Sequence, residues 1–394
     1  MVETRKLQGQ SGSGASALFQ LLRDGNPRTR AELATVTGLA RSTIAQRIGS
    51  LIDLGFVTPV GDAASTGGRP SSQFSLNHSA RLIIGADLGA SHISLAITDL
   101  AARPLAEVRA NMDITDGPEK VLSFILDRST ELLESLGRSL DDVLAIGLGL
   151  PGPVEHATGL PINPPIMPGW DRFDVSGWLR NRVDVPVLVD NDVNVMALGA
   201  RSLAFATVDD LLFMKVATGI GAGVISNGEL LRGAPGIAGD IGHVQVARAA
   251  GIACRCGSTG CLEAVASGPA IASALARAGL DVDTPEQVVE LVKAGNVEAI
   301  QAVRQAGRDI GDVLTTCVSL INPSVIVLGG SMALAGEHLI AGVREVVYTR
   351  SMPLATEHLS IVQSGTNDRA GVIGASILAL SHVLSPESID AMVA

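Results

Sequence analysis

Glycines break every apolar run of this 394-residue chain well short of 18 residues, so the sequence offers no segment long enough to cross a membrane as a helix. The basic-then-apolar start of a secretion signal is also missing, which sets the expectation of a cytoplasmic protein with no membrane partner. Net positive charge is absent too. The formal charge is −11, which argues against a generally basic nucleic-acid binder. That total hides an asymmetry: residues 1–77 carry eight Lys and Arg against five Asp and Glu, a balance of +3, which leaves −14 for the remainder. A basic head on an acidic body points to a polyanion that meets only the head. The length allows two or three domains and a large core.

Cysteine is scarce, at four residues, yet three of the four lie within eight positions: Cys254, Cys256 and Cys261, with His243 eleven residues before the first. Zinc takes four N/S ligands in a tetrahedron, and a Gly-rich knuckle lets close-spaced thiolates point at one centre. A disulfide is the competing reading; it leaves one thiol over, and Cys254 and Cys256 are too close to bridge easily. Ordinary buried cysteines clustered by chance are the third. Zinc held by His243, Cys254, Cys256 and Cys261 is the expectation, and four protein ligands would make it structural. Asp240, His243 and Glu263 flank this knuckle and are candidates to converge on a polyol.

In the head, residues 1–14 are rich in Gly, Ser and Gln and read as an arm. Helices are expected at 15–23, from Thr29 with Glu32 as a capping box, and at 41–53 after the Gly38 turn. Two short helices, a glycine turn and a third helix make a helix-turn-helix. The third helix offers Arg41, Ser42, Thr43, Gln46 and Arg47 to base edges and phosphates. Strands at 57–60 and 73–76 read as a wing, whose connection Gly67-Gly68-Arg69-Pro70 would carry Arg69 to a minor groove or a phosphate. A small helical packing domain with a solvated basic face is the bland alternative.

In the body, a strand over 81–87 ends in Asp87-Leu88-Gly89-Ala90-Ser91, and strands follow at 92–98 and 105–110. The strand 211–216 leads likewise into Ala217-Thr218-Gly219-Ile220-Gly221, then another strand and a polar turn. The same plan twice implies two related α/β lobes facing each other across a cleft, each presenting backbone N–H groups to a phosphate chain. Helices are expected at about 118–136, 192–203, 268–278, 297–321, 334–348 and 370–384. Buried strands are expected at 143–150, running into Pro151-Gly152-Pro153, and at 185–189, running into Asp190-Asn191-Asp192. A carboxylate where a buried strand gives way to a helix is placed to act as general base, although Asp and Asn are also common helix caps. A last strand ends in Gly329-Gly330, and Cys317 reads as core.

Together these motifs resemble the ROK family (repressors, open reading frames, kinases) of the sugar kinase, actin and Hsp70 superfamily, over nearly the whole chain. The head resembles that of the repressor branch, which includes repressors of xylose and N-acetylglucosamine use. The resemblance implies an N-terminal winged helix-turn-helix over 1–78 and a two-lobed α/β body. The lobes would span 79–200 and 201–394, with the zinc site in the second and a C-terminal helix returning to the first. It implies Asn163, Asn191, Asp192, Asp240, His243 and Glu263 as sugar-binding residues. It also implies Asp87, Gly89, Thr218, Gly219, Gly329 and Gly330 as the ATP and phosphate motifs. The chain departs from the family kinases in three places. Asp240 stands where they carry Glu, and the Gly-Gly-Thr-Lys turn reads Gly89-Ala90-Ser91-His92, which adds a Cβ and loses a permanent positive charge.

The expectation is therefore a sugar-responsive transcriptional regulator, a repressor acting as a homodimer or dimer of dimers on palindromic operator DNA, with a sugar effector and structural zinc. The alternative is an ATP-dependent hexose or N-acetylhexosamine kinase that also binds DNA, with Asp192 as catalytic base and Mg²⁺ on the phosphates.

Overall fold

The computed structural model describes residues 14–62, 71–366 and 369–394. The head has helices Ser16–Leu22, Arg30–Thr37 and Arg41–Asp53, then antiparallel strands Val57–Asp62 and Ser72–Leu76. A two-residue strand, Arg28–Thr29, pairs with the other edge of Ser72–Leu76. The second helix begins where its capping box says it must: Thr29 N–H donates to Glu32 Oε2 at 2.7 Å and the Thr29 side chain accepts from the Glu32 N–H. Gly38, at φ 71°, ends that helix in the left-handed conformation. Ile44, Ile48 and Leu51 of the third helix bury against Leu18, Phe19, Leu22 and Leu33.

Two five-stranded sheets form the body, and they have the same topology. In each, three consecutive strands form an antiparallel meander, and the first of them takes a parallel neighbour that is itself flanked by a second parallel strand. The first sheet runs Val187–Asn191, Val143–Leu150, Leu82–Leu88, His92–Thr98, Pro104–Asn111. The second runs Ser360–Gln363, Val325–Gly329, Leu211–Val216, Ile220–Ser226, Glu229–Leu231. Central strands such as Leu82–Leu88 are buried along their whole length, as continuous apolar runs require when both faces are covered.

Helices Asp192–Ala204 and Arg369–Val383 pack on each other between the sheets. Their backbones nearly touch: a Cβ at Gly374 would strike the Val195 carbonyl, and one at Gly199 the Ala370 carbonyl. Arg369–Val383 also lies against Leu82–Leu88 and Val143–Leu150. A further helix, Pro386–Val393, carries the chain onto the head. There Ser16 donates to Asp390 through both N–H (2.9 Å) and hydroxyl (2.8 Å), and Gln20 Nε2 donates to the Leu384 carbonyl at 2.7 Å. Leu380, Leu384 and Ile389 share one apolar cluster with Leu18, Phe19 and Leu22, so head and body are joined by a common core. Among the described residues no single helix is long and apolar enough to cross a membrane.

Candidate functional site

The two sheets face each other across a cleft of about 510 Å³, and the strand ends supply its walls. Asp87 and Gly89 reach it from the end of Leu82–Leu88, and Asn191 and Asp192 from the junction of a strand and a helix. Thr218, Gly219, Gly329 and Gly330 come from the second sheet, and Asp240, His243 and Glu263 from the loop that leaves it. Asn163 is not on this wall. Its backbone turns at φ 44°, its N–H donates to Asp171 Oδ1 at 2.8 Å, and the residue is exposed; Pro165 and Ile166 of the same loop line the cleft instead.

The strand expected over 185–189 runs over Val187–Asn191, so Asp190 and Asn191 belong to the sheet and Asp192 opens the helix. Asn191 is the cap: its Oδ1 accepts from the Val193 N–H at 2.9 Å while its Nδ2 donates to the Gly152 carbonyl at 3.0 Å. Asp192 is 4% exposed, with Oδ1 accepting from the Val193 N–H at 2.8 Å and Oδ2 accepting from Lys215 Nζ at 2.5 Å. Lys215 escaped the reading of the sequence. Its signal was a lone lysine in Leu211–Val216, a strand otherwise apolar and buried. Burial alone would pull its ammonium down, but Asp192 and Asp87 outweigh that and hold it above the usual lysine range. Asp87 is pushed up to about 7, chiefly by burial, with Lys215 opposing and Asp192 adding to the rise.

A second ion pair joins the first sheet to the segment that follows Glu229–Leu231. Asp190, 2% exposed, accepts from Arg232 Nε at 2.8 Å and from Asn194 Nδ2 at 2.8 Å. Glu263 Oε2 accepts from the Ile220 N–H at 3.0 Å, which ties the carboxylate after the cysteine run to the Thr218-Gly219 turn. On the first-lobe side the His92 ring packs over Gly89. It is pushed down to about 4 by burial and by the positive charges of Arg109 and Lys215, so it is neutral at pH 7.

His243, Cys254, Cys256 and Cys261 place one donor atom each within 4.8 Å of all the others. The Cys256 and Cys261 sulfurs are 3.8 Å apart, and Cys254 Sγ lies 3.7 Å from His243 Nδ1. A tetrahedron with metal–sulfur bonds of about 2.3 Å has sulfur–sulfur edges of about 3.8 Å, so the donor set fits one ion. No two of these cysteines form a disulfide. Gly257 and Gly260, at φ 89° and 85°, let the loop fold back on itself, with the Cys254 N–H donating to the Ser258 carbonyl at 2.8 Å. Cys261 is pushed up to about 12 by burial and by Cys256 and Cys254, whereas Cys256 is held below the usual thiol range, first by a backbone hydrogen bond from Ser258. His243 Nε2 lies on the cleft side, 3.9 Å from Asp240 Oδ1.

In the head, Arg41, Ser42 and Gln46 are exposed on the third helix. Thr43 and Arg47 are half-buried rather than fully presented, because both flank the Ile44–Ile48 stripe that faces the core. Arg47 Nη1 is buried with no hydrogen-bond partner among the described residues. Arg69 lies outside the described residues.

Residues 83–382 match the ROK family. A xylose repressor of Caldicellulosiruptor bescii is 28% identical over 91% of this chain and 92% of its own, more than the body alone could supply. A glucokinase of Halalkalibacterium halodurans is 30% identical over 75% of this chain and 93% of its own. Among solved structures, a ROK transcriptional regulator described as a homologue of the E. coli MLC protein covers 96% of this chain and 98% of its own, with a TM-score of 0.80 and 24% identity. A two-sheet body with this topology and a family match over most of its length leave one assignment: the chain belongs to the ROK family.

Proposed function

We propose that the chain is a sugar-responsive transcriptional regulator of the repressor kind, with a winged helix-turn-helix head over 1–78 and lobes over 79–200 and 201–394. One observation carries the reading: the similarity to a xylose repressor covers 91% of the chain and so reaches into the head, while the similarity to a glucokinase covers 75%. The helix Arg41–Asp53 would enter a major groove with Arg41, Ser42 and Gln46 at its exposed N-terminal half and Thr43 and Arg47 beside them. Zinc on His243, Cys254, Cys256 and Cys261 would close its coordination sphere on protein ligands and act as a staple. The wall it fixes offers Asp240, His243 and Glu263 to one side of a sugar, and Asn191 and Asp192 to the other. A homodimer in the cytoplasm would present two heads to a palindromic operator.

The test is a gel shift of the full chain on genomic operator fragments with a panel of neutral sugars. One sugar should change operator affinity by about 5- to 150-fold, the usual range for coupled sites. A panel that never changes it sinks the sensing half. The Asn191-Asp192 pair at a helix N-terminus favours a second reading, a sugar kinase using Asp87, Gly89, Thr218, Gly219, Gly329 and Gly330 for ATP and Mg²⁺. ADP release with the same sugars separates the two: turnover abolished by Asp192→Asn would establish the kinase.

A further inference from the structure

The floor of the cleft holds two buried carboxylates, Asp87 and Asp192, 8% and 4% exposed. They lie close together: a Cβ on Gly149 would sit 3.3 Å from Asp87 Oδ1 and 3.2 Å from the Asp192 Cα. Two carboxyl groups buried this close cannot both ionise without a cation beside them, and in phosphoryl transfer that cation is a divalent metal that also bridges the phosphates. Here the strand Leu211–Val216 puts an ammonium there instead. Lys215 Nζ donates to Asp192 Oδ2 at 2.5 Å and the Val193 N–H donates to Oδ1 at 2.8 Å, so each oxygen of Asp192 already accepts a hydrogen bond.

The rest of the cleft agrees with that substitution. The His92 ring lies over Gly89, with Cε1 2.5 Å from where a Cβ of that residue would be, in the space a phosphate would approach. Asp240, Glu263 and Glu286 add negative charge to the lining, set against Arg109, Arg255 and Lys215 itself. The residues present do not fit a metal-bridged nucleotide.

We propose that Lys215 is the resident counter-ion of this cleft: it stands in place of the divalent cation, holds Asp192 as an ion pair rather than a free base, and restricts the cleft to a neutral polyol bound without nucleotide or metal. A hydroxyl beside the pair meets an ammonium donor and a carboxylate acceptor, whereas a triphosphate meets the carboxyl groups of Asp87, Asp240, Glu263 and Glu286 and a neutral ring. The inference rests on the reading of the cleft as a sugar sensor.

Mn²⁺ is the probe, followed by electron paramagnetic resonance on the full zinc-loaded chain. The wild type should bind no Mn²⁺ that depends on Asp192, with or without a non-hydrolysable ATP analogue. Lys215→Ser should gain one equivalent, and Lys215→Ser with Asp192→Asn should lose it again. Wild-type Mn²⁺ binding that Asp192→Asn removes overturns the proposal, as does a folded Lys215→Ser that binds none. Should Lys215→Ser fail to fold, Lys215→Gln keeps the volume without the charge and carries the same expectations. If neither folds, the wild-type measurement decides by itself, absence of Asp192-dependent Mn²⁺ supporting the proposal and presence overturning it. Operator gel shifts keep the two readings apart. Mn²⁺ at Asp192 together with an intact sugar response sinks the counter-ion alone, and no Mn²⁺ with no sugar response on any operator sinks the sensor alone.

Discussion

Asp87 shows how much one buried carboxyl can weigh. Below pH 4 it is protonated in both folded and unfolded chains, so its burial has no pH-dependent cost. Between pH 4 and about 7 the unfolded chain releases the proton while the folded chain keeps it, so the wild type loses stability as pH rises. Above about 7 both states are ionised and the loss levels off. Asp87→Asn removes that dependence. Urea midpoints of the two proteins should therefore lie close at pH 4 and separate steadily to pH 7, the variant ending more stable by on the order of a few kcal/mol. A gap that stays constant over this range would mean that Lys215 keeps Asp87 ionised throughout. Asp240, by contrast, is an exposed residue 3.9 Å from His243 Nε2 and affects the ligand side more than the fold.

At the scale of elements, the loop from Asp240 to Glu263 closes on itself, with the Val246 N–H donating to the Gly260 carbonyl and the Leu262 N–H to the Val244 carbonyl, both at 2.9 Å, and it contains the His243 and cysteine cluster. Arg248 fastens it from outside: its Nε donates to the buried Asp309 at 2.7 Å and its Nη2 donates to the Val265 carbonyl at 3.0 Å, bolting the loop to helix Val297–Ile321. Removing zinc by chelation, or by Cys254→Ser, should leave the sheets folded but free His243 and Glu263 from their register. The expected result is loss of one zinc by atomic absorption, an unchanged far-ultraviolet spectrum and a 10- to 100-fold weaker response to sugar, roughly the range for a disturbed metal shell. An unchanged sugar response would show that the knuckle does not set the pocket.

How legible these elements were follows from how local their causes are. Val143–Leu150, Leu211–Val216, Arg41–Asp53 and Val297–Ile321 have the bounds their apolar periods imply. Helix Pro285–Lys293 was missed although Thr284 and Gln287 form a capping box, because its short apolar face is legible only against the neighbouring helices. Pro386–Val393 was missed because a short helix after Ser385-Pro386 looks like a tail until the head packs on it. The clustering of His243, Cys254, Cys256 and Cys261 was legible because these residues are close in sequence. The Lys215–Asp192 pair was not, because its partners are 23 residues apart, one opening a helix and the other in a strand of the second sheet. Asn163 was placed on the sugar side by the family resemblance, whereas beyond its positive-φ turn Pro165 and Ile166 of the same loop line the cleft.

On the scale of the whole molecule, a sugar can regulate DNA binding only if it binds two arrangements of the chain with different affinity. The parts that would transmit the difference are contiguous. Asp192 opens a helix whose backbone meets Arg369–Val383 at Gly199 and Gly374, and a Cβ at Gly371 of that second helix would strike the Asp87 carboxylate. The chain then continues through Pro386–Val393 to Asp390, which accepts two hydrogen bonds from Ser16 at the start of the first head helix. A rotation of one lobe on the other would reach the head through this helical arm and through the apolar cluster that Ile83, Leu100 and Ala145 of the first lobe share with the head. Asp390→Ala cuts the polar contact and leaves the cleft untouched. Sugar affinity by calorimetry should stay within about twofold of wild type, since the substitution lies far from the ligand. Operator affinity without sugar should change little. The sugar-induced change in operator affinity, worth about 1–3 kcal/mol in coupled systems, should fall to a small fraction of its wild-type value. Full coupling in Asp390→Ala would mean that the signal leaves the body by the apolar cluster around Leu384 and Ile389 rather than through this pair.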